Sequence, residues 1–332
     1  MRWPAAMQAM ITGKVLPPSW RSDRRCSAEP DFMGSCPHFP FRRTDPLHPP
    51  TELREARAVE PVLPVTLWNG ARAWVVTRQK EIREVLSDDE RFSGRFGQEN
   101  FPTVTEARVA VDRGERAFVG MDNPDHDRFR RMFTREFSVR RMMALEPEIR
   151  AIANRLIDEL EEAGSPQDLA PLLAVRFPSL VMSLLFGSPY EDHRFIIECA
   201  VARHGLTQSP GEAERKAREL ADYCHRLIEA RMAEPRDDMV SRVIADQVRP
   251  GFLSVAEFAE IGAMILRAGH DTTTNMIAMG ALYLVRDPEL AERLRAEPAE
   301  IRRAVEEFLR FTSPVQFSPR RVARVDVELA GV

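Results

Sequence analysis

Ala268-Gly269-His270-Asp271-Thr272-Thr273 sets a glycine, a carboxylate and hydroxyls inside the most apolar run of the sequence, Ile261 to Val285. Helix propensity opposes them: a mid-helix glycine costs about 0.8–1 kcal/mol relative to alanine, and consecutive threonines lose side-chain freedom against the preceding turn. At 100° per residue, Ala268, Asp271, Thr272 and Asn275 share one stripe of a helix. Such a stripe must face something polar, either a ligand or another polar helix. Gly269 permits close approach of a second body, and a threonine hydroxyl can donate to the carbonyl four residues back, loosening the helix locally.

Two further constellations could do chemistry. His126 and Arg130 stand at i and i+4 in His126-Asp127-Arg128-Phe129-Arg130, two donors on one helix face. The pair suits a carboxylate-bearing ligand, each charge-assisted bond contributing about 1.5–3 kcal/mol away from water. Flanked by Arg128, Arg131 and Arg135, it equally suits a solvated face. Glu307 and Arg310, at i and i+3, form a pair that contributes little on a surface and becomes a rigid lock only where buried and satisfied on all sides.

These groups need elements to hold them. Ser254-Val255-Ala256-Glu257 has capping-box spacing and opens the helix that carries the stripe. Asn123-Pro124 reads as an N-cap followed by proline at the first helical position, opening a helix to about Phe137 that carries His126 and Arg130. Ser138 can cap the next, which runs through Leu156 and stops at Gly164. Further helices fit Pro171–Phe186, Pro189–Arg203, Glu212–Met232 and Asp237–Val248, and Asp287-Pro288 and Pro298 open two more. Val62–Leu67 and Arg72–Val76 flank Asn69-Gly70, a hairpin signal, and a short helix spans Lys80–Leu86. Arg91 to Met121 shows little periodicity and reads as a binding loop; Val325 to Leu329 reads as extended.

Composition is that of a globular protein: 332 residues, 44% hydrophobic and 30% charged, enough for a large core. A net charge of −4 predicts no general attraction to nucleic acid or anionic lipid. Arg267 and Asp271 at the centre of the long apolar run argue against a membrane span. Cys26, Cys36, Cys199 and Cys224 show neither metal-site spacing nor disulfide-scaffold density, so a cytoplasmic location is expected. Residues 1–32 are expected to be a disordered leader and residues 33–332 a single domain.

Met121-Asp122-Asn123-Pro124-Asp125-His126 leading into Arg130, then Ala268 to Thr273, then Glu306-Glu307-Phe308-Leu309-Arg310 followed by Pro314 and Arg321-Val322-Ala323, resembles the bacterial cytochrome P-450 family of haem-thiolate monooxygenases in order and spacing. The resemblance spans roughly Cys36 to Val332. It implies a mainly α fold with a small β-sheet near the N-terminus, a haem b cofactor, a ferredoxin-type electron donor and a small lipophilic substrate that is hydroxylated or epoxidised. It implies that His126, Arg130 and Arg321 bind the haem propionates and that Ala268 and Gly269 lie over the distal face. Thr272 would hydrogen-bond the bound oxygen and Asp271 would feed protons from solvent, with Glu307 and Arg310 structural.

One departure accompanies these matches. The family's iron ligand is a cysteine in a loop well beyond the Glu-x-x-Arg helix, and all four cysteines here precede the central helix. The resemblance therefore implies a domain incomplete at its C-terminus, with no metal ligand among these residues. The alternative is a non-catalytic fragment or a haem-free helical interaction protein. A haem held by His270 is a third reading, opposed by the position of His270 on a face adjoining the stripe. The basic residues Arg128, Arg131, Arg135, Arg140 and Arg141 suit either an acidic electron donor or solvent. The phenylalanines Phe92, Phe96, Phe101, Phe118 and Phe195 point only to a lipophilic ligand in general.

Overall fold

Helix α10, Val255–Arg286, is the axis of the fold. Its start follows the sequence rule, since Ser254 accepts from the Glu257 amide and the Glu257 carboxylate accepts from the Ser254 amide at 2.8 Å. One side of its N-terminal half is apolar and buried, with Phe258, Ile261, Ala263, Ile265 and Leu266 in the main core. Burying that side is what holds a helix containing Gly269 and three threonines together. The computed structural model describes residues 36–114, 116–204, 209–315 and 318–332; the leader expected over residues 1–32 lies outside them.

Preceding elements are α1 (Thr51–Val59), the hairpin β1 (Val62–Thr66) and β2 (Arg72–Val76), α2 (Gln79–Ser87), β3 (Phe92–Ser93), α3 (Glu106–Gly114), α4 (Asp125–Thr134) and α5 (Val139–Glu162). Then come α6 (Arg176–Phe186), α7 (His193–His204), α8 (Pro210–Ala233) and α9 (Met239–Val243). Helices α6, α7 and α8 pack directly on α10. After it follow α11 (Pro288–Ala296), capped by Asp287 at 2.9 Å from the Leu290 amide, then α12 (Ile301–Thr312) and β4 (Val322–Ala323). No helix among the described residues is long and apolar enough to cross a membrane.

The hairpin forms in the expected register, Val62 opposite Val76 and Thr66 opposite Arg72. Two expectations are corrected, the Asn123 cap and the loop from Arg91 to Met121. Asn123 does not cap α4: its side-chain amide donates to Asp89 at 2.8 Å, and the helix opens on backbone bonds from His126 to Asp122 and from Arg128 to Pro124. The stretch from Arg91 to Met121 is not a featureless loop, because it holds β3 and α3. Thr105 starts α3 by accepting from the Arg108 amide, and Ala107 and Val111 anchor it against Ala213 of α8. A second small sheet joins β3 to β4 across the length of the chain, with Phe92 opposite Ala323 and Ser93 opposite Val322. Val325–Leu329 makes no ladder.

Candidate active site

The polar stripe on α10 is open. Ala268, Thr272 and Asn275 are exposed and Asp271 is half-buried, although the adjoining faces of the same helix lie in the core. The described helices that pack on α10 cover its other faces. Thr272 Oγ1 donates to the Ala268 carbonyl at 3.0 Å, the back-bond expected of a threonine at this spacing. Gly269 does admit a second body, and that body is Met182 of α6: a Cβ on Gly269 would stand 2.1 Å from the Met182 sulfur. His270 points into the core at 2% exposure, with Nδ1 2.8 Å from Asp271 Oδ1. Its ring therefore lies in the core beside the stripe and not on it.

The second half of the site is where β3, β4 and the start of α4 converge. Asp122 accepts from the Ser93 hydroxyl and from the Gly94 amide at 2.7 Å, and pairs with Arg324. Burial alone would raise its pKa, but the bonds from Ser93, Gly94 and Arg324 outweigh it and hold the carboxyl below its ordinary value. The Asp122 carbonyl receives the His126 amide at 3.0 Å, while Arg321 lies against Gly94, its Nη1 3.2 Å from where a Cβ would be. Arg321 and His126, 195 positions apart in sequence, thus each adjoin a member of the Gly94–Asp122 pair. The His126 ring sits edge-on to Phe118 at 6.0 Å, with Nδ1 2.9 Å from Asp127 Oδ1. Arg130, one turn along α4, is exposed.

Sequence reasoning assigned no role to Asp122, Ser93 or Arg324. The only signal was an aspartate just ahead of Asn123-Pro124, and its partners are too distant in sequence to be paired with it by spacing. A neighbouring brace is equally long-range: Asp112, 2% exposed, accepts from Arg108 at 2.7 Å and has Arg320 2.9 Å away, off hydrogen-bond direction. Arg320 in turn covers the Phe96 and Phe101 rings at 5.3 and 4.7 Å. The remaining phenylalanines are packing residues: Phe118 lies against Phe133, and Phe195 against Tyr223.

Glu307 and Arg310 form a two-bond ion pair on α12, Arg310 Nε donating to Glu307 Oε2 at 2.7 Å. The side chains are 58% and 68% exposed, so the pair is a solvated clamp here and not a buried lock. The bonds from Arg310 hold the Glu307 carboxyl below its ordinary pKa.

Comparison with known proteins identifies the family. The cytochrome P450 family profile matches residues 60–208. Cytochrome P450-SU2 of Streptomyces griseolus is 38% identical over 286 residues, covering 86% of this chain and 70% of that protein. Pentalenic acid synthase of Streptomyces avermitilis is 39% identical over 306 residues, covering 91% and 75%. The solved structure of the mycinamicin VIII C21 methyl hydroxylase MycCI from Micromonospora griseorubida, bound to mycinamicin VIII, superposes with a TM-score of 0.81 at 30% identity, over 88% of this chain and 74% of that one. The chain belongs to the cytochrome P450 family, and it is an oxidoreductase of the haem-dependent monooxygenase type. The haem-free interaction protein is not favoured.

The family implies a haem, and the donors present fit one side of it. A small exposed residue, an alcohol and an acid line the open stripe, and cationic or imidazole donors come from α4 and from the segment before β4. The thiolate ligand is not matched by any free cysteine among the described residues. Cys199 and Cys224 are buried at 1% and 0% exposure, and burial raises both thiol pKa values, that of Cys199 to about 11. Cys36 is disulfide-bonded.

Proposed function

We propose that Asp271 and Thr272 are the proton-delivery pair of this monooxygenase, and that His126, Arg130 and Arg321 hold the haem carboxylates beneath Ala268. Gly269 contributes by letting α6 close on α10. When bound, the haem supplies oxygen activation and the radical chemistry, which the protein need not provide. The chain supplies orientation and hydrogen ions. Asp271, partly open to water, exchanges protons with solvent, and Thr272 Oγ1 holds the next position along the stripe. The Thr272 hydroxyl rests on the Ala268 carbonyl and can turn to donate elsewhere without disturbing the core, because both residues are exposed.

The observation that carries this reading is a line of hydrogen-bonding side chains left open along a 32-residue helix whose adjoining face is in the core. In the haem-loaded enzyme, Thr272→Ala lowers product formed per electron consumed by roughly 100-fold or more if general acid assistance is lost. Undiminished coupling overturns the assignment.

The substrate is a small lipophilic compound and the electron donor is ferredoxin-like, with the enzyme working in the cytoplasm. Family members use such donors, and exposed Arg131 and Arg140 offer an acidic partner a landing face. Electron transfer that slows as salt rises supports this; salt-independent transfer counts against it. With its thiols buried, the 332-residue chain by itself does not retain haem through thiolate ligation. Iron content and the absorption of the reduced, carbon-monoxide-bound sample test that statement, and a thiolate-type band overturns it.

A further inference from the structure

The two ring nitrogens of His270 sit in different surroundings. Nδ1 lies 2.8 Å from Asp271 Oδ1, whereas Nε2 is buried with no hydrogen-bond partner. An ionised carboxylate only accepts, so the imidazole hydrogen belongs on Nδ1 and Nε2 presents a bare lone pair. Leaving that nitrogen unpaired costs stability, and a leucine would occupy the space without the cost. Folding therefore does not account for the imidazole. One turn on, Thr274 Oγ1 is a second buried atom without a partner.

What the ring does provide is a single donor aimed at one carboxylate oxygen. The Asp271 side chain is 24% exposed, while the His270 side chain is 3% exposed and held by the core. A donor held by the core restrains the carboxylate oxygen it bonds. The carboxylate is thereby kept in one orientation on the rung next to Thr272.

We propose that His270 is a positioning residue of the acid–alcohol pair, its Nδ1 hydrogen orienting the Asp271 carboxylate so that protons are passed along the stripe. The inference rests on the proton-delivery role proposed above for Asp271. His270 acts through Asp271 and touches neither substrate nor haem.

Three variants of the haem-loaded enzyme test it, read as product formed per electron consumed. Asp271→Asn reports on the underlying role. His270→Leu fills the volume without a donor, and His270→Asn offers an amide hydrogen near the position of Nδ1. The expected result is a loss of about tenfold for Asp271→Asn and His270→Leu, with most of the ratio recovered in His270→Asn. A normal ratio in His270→Leu beside a defective Asp271→Asn overturns the inference and leaves the reading beneath it standing. Equal losses in His270→Leu and His270→Asn also overturn it, since the ring would then serve packing alone. A normal ratio in Asp271→Asn removes both.

A second readout needs no turnover. Nitrogen-15 spectra of histidine-labelled chain are expected to show His270 protonated at Nδ1, with a hydrogen protected from solvent exchange that is lost in Asp271→Ala. Protonation at Nε2 instead overturns the proposal.

Discussion

Met182 of α6 rests on the backbone of Gly269 in α10, with its sulfur, Cγ and Cε at 2.1, 2.8 and 2.9 Å from the position a Cβ would take. The glycine that helix propensity disfavours is thus required by a neighbour that is itself 8% exposed. Gly269→Ala is expected to cost about 1–3 kcal/mol by overpacking, reduced by the roughly 0.8–1 kcal/mol that alanine gains in a helix. Combining it with Met182→Ala should cost less than the two changes separately, because the shortened side chain relieves the clash. Urea denaturation of the single and double variants checks this, and strict additivity contradicts it.

Asp122 ties β3, β4 and α4 together, so Asp122→Asn is expected to destabilise by about 1–3 kcal/mol. Its folded pKa lies below the ordinary 3.8. The stabilisation it gives is therefore complete above that value and is lost as pH falls through the lower folded one. Acid titration of the wild-type chain should show a loss of stability below about pH 3.8 to which Asp122 contributes, and the same titration of Asp122→Asn should lack that contribution. Identical acid profiles would show that the anchor is not formed.

Cys199 and Cys224 are buried thiols held in the protonated form. A thiol-specific reagent near pH 8 should modify them only as fast as the protein opens, and Cys199→Ala and Cys224→Ala should leave any haem absorption unchanged. Labelling much faster than unfolding, or a spectrum altered by either substitution, would show that a thiol is accessible or bound to iron.

The exposed pair Glu307–Arg310 predicts little in this chain. Glu307→Gln should leave the thermal midpoint within error of wild type, and a large drop in Tm would show the pair to be covered in solution.

The parts of the fold legible in the sequence are those specified within a few residues. Ser254 and Glu257 announce α10 because a capping box needs only four positions, Asn69-Gly70 sets the β1–β2 turn, and Gly164 ends α5 with a φ of +75° that other residues rarely adopt. Short-range reasoning failed at Asn123, where the side chain had a better partner in Asp89 than in its own helix. It also missed α3, which presents only two apolar anchors. The stripe Ala268–Asp271–Thr272 was readable because helical period alone puts those residues together. Gly269 was read as admitting a second body, but spacing could not say that the body would be Met182. The junction of Arg324 with Asp122, Ser93 and Gly94 is long-range, and no periodicity links segments so far apart.

The closure of β3 on β4 also governs the order in which the molecule can assemble. Arg324 meets Asp122 across 202 positions, so during synthesis Ser93, Gly94 and Asp122 leave the ribosome long before the residues that complete their hydrogen bonds. The helices around α10 can pack in the meantime. The junction of β3, β4 and α4 is consequently a late stitch, made only when translation has passed Arg324.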